Sequence, residues 1–286
     1  NSIFLNPSFS ADSRVYMQLK LAGANVFGAT NLGYLPSFNY WNALLAKEVP
    51  QPVPSEGVIN RFVLATIAAE GPCFVMSKGN FGAGLYLKAR SVFNVRRLPH
   101  QLTSLFLSQR PVDPELLELD VRHAGFNNMT WLEGGINFSY LLIKRANNLL
   151  QAGVNLSYLS GVNIIYGNVS RLEGSYRDTI INVEALESRL VRNTPALFSG
   201  RGFGADLGVT YKKMLGSVDR YMPNSPESGC RTVDYKYKIG ASLRDIGFIR
   251  FKTGIVDQRF GGQGLFVFSR PTGEFTQVNS YSLATE

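Results

Sequence analysis

Charge is scarce in this sequence: Asp, Glu, Lys and Arg make up only 17% of 286 residues, against 45% apolar residues. That balance excludes a disordered chain, which needs low hydrophobicity and high net charge. Cysteine is nearly absent. Cys73 and Cys230 stand far apart without metal-ligand spacing, which leaves a single disulfide open and excludes a cysteine-built metal module. Cys73, in the apolar run "PCFVMSK", reads as a small hydrophobe, buried or lipid-facing. His100 and His123 are the only histidines; neither sits in a metal-ligand pattern, and both read as loop polar groups rather than ligands or bases. There is no GxSxG, and no apolar run of the length a transmembrane helix needs, so a membrane could be crossed only by a barrel. No signal peptide is visible and the chain starts at Asn1, as a mature, processed or partial protein would.

What is present is alternation. In 201–213, "RGFGADLGVTYKK", Phe203, Ala205, Leu207, Val209 and Tyr211 point one way and Gly204, Asp206, Gly208, Thr210 and Lys212 the other. The pattern recurs at 81–93, 131–143, 150–161 and 235–247, with weaker copies elsewhere. A water-soluble sandwich would turn the apolar rows to its core, and an outer-membrane barrel would turn them to lipid. Two features favour the barrel. The runs are about ten residues or longer, the length of a tilted bilayer-crossing strand, and the polar rows are rich in Gly, Ser, Asn, Lys and Arg. Tyr140, Tyr158, Tyr211 and Tyr235 fall near strand ends, where an interfacial aromatic girdle would sit.

Two segments break the period. Residues 36–56 begin with Phe38, Trp41, Leu44 and Leu45 at helical spacing and then become proline-rich, and 98–125 carries Leu102, Leu105 and Phe106 on one side before two prolines. Both read as loops or plugs over one end of the barrel, with core helices of an α+β domain as the alternative. Residues 174–201 read as a long excursion between strands, and 221–231 as a turn-rich loop.

Chemistry is sparse. The acidic run 113–120 lacks the spacing of a known calcium loop and reads as a solvated loop. "GRGFGADLG" opens a strand, where a dinucleotide fingerprint must open a helix. No catalytic, cofactor-binding or metal-binding residue is assigned, and no cofactor is expected. The charged residues on the polar rows, Lys88, Arg90, Glu133, Asp206, Lys212, Lys236, Lys238 and Arg244, are candidates to face the lumen and pair across it. The net charge of +8 comes without a basic block or nucleic-acid motif, so anionic lipid head groups are the expected partner rather than nucleic acid.

At "LLQAGVNLSYLSGVNIIYGNVSRLEG", "GRGFGADLGVTYKK" and "YKIGASLRDIGFIRFK" the chain resembles predicted outer-membrane β-barrels of Bacteroidota grouped as a domain of unknown function. The opening "LNPSFSADSRVYMQL" and the segment "EGPCFVMSKGNFGAGLYLKARSVFNV" are similar to that family's start and hairpin. Members resemble barrels of the type IX secretion and gliding apparatus and FadL-like porins, and some carry an OmpA-like domain. The resemblance implies a single antiparallel transmembrane barrel over 1–286, incomplete at its C-terminus and of about 12–14 strands when whole. It places that barrel in the outer membrane of a Gram-negative bacterium, against lipids and lipopolysaccharide. Its expected role is a non-enzymatic scaffold or accessory subunit among other envelope proteins, with a link to peptidoglycan through a further C-terminal part. The alternative is a FadL-like or porin-like channel for small or hydrophobic solutes.

Overall fold

The computed structural model describes residues 2–13, 15–34, 53–54, 60–99, 117–177, 180–218, 221, 234–269 and 274–279. Two 3-10 turns, Ser2–Phe4 and Pro7–Ser10, precede thirteen strands: β1 (Met17–Lys20), β2 (Gly23–Thr30), β3 (Gly33–Tyr34), β4 (Val53–Pro54), β5 (Asn60–Lys78), β6 (Phe81–Pro99), β7 (Leu117–Arg145), β8 (Asn148–Arg177), β9 (Ile180–Asn193), β10 (Gly200–Met214), β11 (Tyr235–Phe251), β12 (Ile255–Ser269) and β13 (Glu274–Asn279). Eleven of them form one antiparallel sheet, and β3 pairs with β4 separately.

Several strands lie end to end. β8 pairs through 165–177 with β9 and through 148–161 with β10; β11 then pairs with β10 and β12 with β9. β1 and β2 likewise share β5. The sheet is thus a row of long tracks, each started by a hairpin such as the tight turn at Gly79, whose φ of 62° suits glycine. Among the described residues the sheet is not closed: β1 and β2 lie at one edge and β11 and β13 at the other.

The alternating runs fall within β6, β7, β8, β10 and β11, and their faces have a polarity opposite to that of a water-soluble sheet. Phe203 is 65% exposed, Leu243 62% and Leu85 59%, whereas Asn137, Gln151 and Thr210 are 0% exposed. Two readings of the period-breaking segments are corrected. Leu117 to Gly125 continue β7 rather than a loop, paired with β8, and 174–201 is no excursion but the end of β8, all of β9 and the start of β10. Leu119 and Val121 do alternate with Glu118, Asp120 and Arg122 there, but left-handed His123, with φ of 58°, interrupts the period, and register shifts at Val169/Arg171 and Glu173/Gly174 interrupt it again along β8 and β9. Residues 100–116, most of 36–56 and most of 221–231 lie outside the described residues, as do His100 and Cys230. His123 is an exposed residue of β7 rather than of a loop. Cys73 is buried beside Ile3, Val75 and Tyr86.

The sheet is strongly curled. The Arg90 guanidinium on β6 pairs with the Asp245 carboxylate on β11, although β7, β8 and β10 lie between them. Four steps across a flat sheet would span about 19 Å.

Candidate functional site: a filled inner face

The N-terminal segment Ile3–Ser13 lies on the inner face, and its polar groups meet those of the polar rows. Asn6 is extended, with φ of −152°, and caps the turn Pro7–Ser10 by accepting from Ser8 N at 3.0 Å and Ser8 Oγ at 2.7 Å. Proline at the first position of that turn has no N–H to leave unsatisfied. The Asn6 amide nitrogen donates to Val209 O at 3.1 Å, Thr210 Oγ1 at 3.3 Å and Ala241 O at 3.2 Å, which joins β10 and β11. Ser8 Oγ and Thr210 Oγ1 lie 2.8 Å apart.

Asn137 Nδ2 donates to Pro7 O at 3.1 Å and to Asn155 Oδ1 at 2.7 Å; Asn155 Nδ2 donates to Ile3 O at 3.2 Å and to Asp206 Oδ2 at 3.0 Å. Ser10 Oγ hydrogen-bonds Asn137 Oδ1 and lies 2.6 Å from Ser139 Oγ. Ser242 Oγ donates to Leu5 O at 3.0 Å. At the hairpin end, Asp12 pairs with Lys212 and accepts from Tyr221 Oη at 2.5 Å. Ala11 there joins Leu141, Leu149, Met214, Val218 and Tyr221 in a buried apolar cluster. Buried amides and hydroxyls are costly unless paired, and here Asn137, Asn155, Thr210 and the segment satisfy each other, while the buried Gln151 amide has no partner among the described residues.

Glycine makes the approach possible. A Cβ on Gly153 would stand 2.5 Å from the Pro7 carbonyl group, and those on Gly82 and Gly208 would overlap Ser10 and Asn6.

An ionic layer lies farther from the hairpin end. Phe4 meets Tyr86 edge-on at 5.2 Å, and Lys88 Nζ lies 5.2 Å from the Phe4 ring centre. Glu133 stands between Lys88, at 3.9 Å, and Arg90, at 3.6 Å. Arg90 also stacks 5.0 Å from the Trp131 ring centre and reaches Asp245, whose second oxygen is 3.1 Å from Nη2. A bulge aims Asp245 inward. Between Ala205↔Ile246 and Leu207↔Leu243, one residue of β10 faces two of β11; Asp245 there adopts a left-handed φ of 61°, and its N–H donates to Asp206 Oδ1 at 2.8 Å.

Of the charged residues read from the polar rows, the structure gathers Lys88, Arg90, Glu133 and Asp206 into this layer and sets Lys212 against Asp12. Lys238 lies 3.7 Å from the Phe9 ring centre. Lys236 and Arg244 are exposed, and the bulge brings Asp245 rather than Arg244 to Arg90. Beyond the layer is a cavity of about 600 Å³, with Val92, Met129, Trp131, Leu159 and Ile164 on its walls. Sequence reasoning missed Asn6, Ser8, Ser10 and Asp12. The signal available was an Asn-Pro followed by alternating small polar residues, which match glycine-rich rows far along the chain.

Among the described residues no group of three or more His, Cys, Asp and Glu is placed to hold a metal. Among the described residues no helix is long and apolar enough to cross a membrane, which says nothing about strands.

A curled all-β sheet that buries polar rows invites comparison with known families. The model of a family of unknown function, DUF5723, matches residues 7–281. The chain belongs to this family. The match begins at Pro7, so the turn that occupies the inner face lies within it, together with every long strand. Comparison with curated proteins and with solved structures gave no match.

Proposed function

We propose that this chain is a non-enzymatic transmembrane β-barrel of the outer membrane of a Gram-negative bacterium, serving as a scaffold or accessory subunit rather than as an open pore. One observation carries the choice of scaffold over pore: segment Ile3–Ser13 fills the inner face and is bonded to β7, β8, β10 and β11. The membrane reading is supported by apolar side chains exposed on the outer face over strands longer than the roughly ten residues a tilted crossing needs. The strand-and-turn likeness to Bacteroidota barrels around type IX secretion supports placing its partners among envelope proteins.

Planar-bilayer recording tests the role. The purified chain is expected to insert without steady conductance, and removal of residues 2–13 to produce current. A steady current from the intact chain would sink the scaffold reading in favour of a solute channel. Release by alkaline carbonate, with stability in the absence of detergent, would overturn the membrane reading itself.

A further inference from the structure

We propose that the cavity beyond the Arg90–Asp245 pair is a blind binding site for one uncharged molecule with an elongated apolar body and a small hydrogen-bonding head. Its volume of about 600 Å³ lies within the range of small-molecule sites, which are mostly apolar with a few placed polar groups. One end is shut by the ionic layer and, behind it, by the N-terminal segment. Val92, Met129, Leu159, Ile164 and Val191 supply the apolar wall, and Trp131 a flat aromatic one.

The lining charges decide against a charged ligand. Arg90 is held by Asp245 and Glu133, Arg189 by Asp257 with bonds of 2.9 and 2.6 Å, and Asp206 by Asn155 and the Asp245 N–H. An ionic head at the closed end would have to take Arg90, 11% exposed, from Glu133 and Asp245, and leave a carboxylate there without its partner. Asn127 and Tyr166, register partners across β7 and β8, both line the cavity. Their amide and hydroxyl suit a neutral alcohol, ester or amide. The site belongs to the inner face and does not depend on what lies against the outer one.

The sequence holds two tryptophans, so Trp41→Phe leaves Trp131 as a reporter on the cavity wall. The probe is 11-bromoundecan-1-ol, whose bromine quenches at contact range, added to the full chain in lipid vesicles. The expected result is saturable quenching that is lost in Val92→Phe, with 11-bromoundecanoate needing at least tenfold higher concentration. Leu159→Phe serves as a second filling variant should Val92→Phe not fold. Quenching that rises linearly with membrane-bound probe and is unchanged by filling would overturn the site, and equal potency of the carboxylate would overturn the neutral ligand. A chain that does not insert is measured in buffer, so failure of the membrane reading and failure of this site are seen separately.

Discussion

Arg90 and Asp245 are 155 positions apart in sequence and four sheet neighbours apart, yet the guanidinium is held by both carboxylate oxygens. Two separate devices meet there. The curl of the sheet brings β6 to face β11, and the bulge at Asp206 turns Asp245 inward at φ 61°. Aspartate tolerates left-handed backbone better than most residues because its short side chain can hydrogen-bond locally.

Replacing Asp245 separates these devices. Asp245→Gly keeps the backbone and removes the charge, whereas Asp245→Ala also adds the left-handed penalty. In urea titrations the Ala variant should be less stable than the Gly variant by about 1 kcal/mol. Equal stabilities would show that the bulge is not strained.

The fit of Pro7 over Gly153 makes the N-terminal segment sensitive to side-chain volume. Gly153→Leu puts atoms where the Pro7 carbonyl group stands, an overpacking of roughly 1–3 kcal/mol. Hydrogen exchange read by mass spectrometry should show residues 3–13 protected in the parent chain and exchanging at least tenfold faster in the variant. Retained protection would mean that the segment is held by something other than this contact.

Lys212 and Asp12 are each 9% exposed and face each other. Lys212→Met leaves the buried Asp12 carboxylate with the Tyr221 hydroxyl and without an ion pair among the described residues, a loss on the order of 3–5 kcal/mol. Adding Asp12→Asn should recover most of it, because no net charge then remains to be desolvated. Chemical denaturation of the single and double variants checks this, and a double variant as unstable as the single one would contradict it.

Leu207 is 49% exposed on the outer face. If lipid covers that face, Leu207→Arg costs up to about 2–4 kcal/mol near the bilayer middle. Equilibrium unfolding from vesicles measures it. A neutral result would count against a bilayer at this position.

Beyond the exposed apolar belt, where the strand extension carries a charged row, Arg171 holds Glu173 below the usual carboxylate value through a hydrogen bond. A depressed folded pKa gives stability that is present above the unfolded value of about 4 and lost as pH falls through the folded one. The Glu173 carboxylate is 27% exposed and its pair lies at the surface, so the effect on stability is small. The clearer readout is the Glu173 carboxyl titration by carbon NMR. It should move up toward the ordinary value in Arg171→Gln, and an unchanged midpoint would dismiss the pair.

Much of the strand content was legible because period two is a local property. Phe203, Leu207 and Val209 against Gly208, Thr210 and Lys212 can be separated without knowing any partner strand. Around Arg122 and Glu173 the period is broken by left-handed His123 and by register shifts between β8 and β9, and the strands between 117 and 125 and between 174 and 201 were read as loops. The ionic layer was half legible. Lys88, Arg90, Glu133 and Asp206 stood on the right rows, but a bulge shifts parity by one, so Asp245 was out of reach and Arg244 was read in its place.

By itself the sequence determined which residues share a face wherever a strand runs without a bulge, since side-chain direction there follows from backbone geometry alone. Only the tertiary structure decided what occupies the inner face. The contacts of Asn6 with Thr210 and of Asp12 with Lys212 join residues 204 and 200 positions apart, and no local periodicity encodes a meeting that depends on how the whole sheet curls.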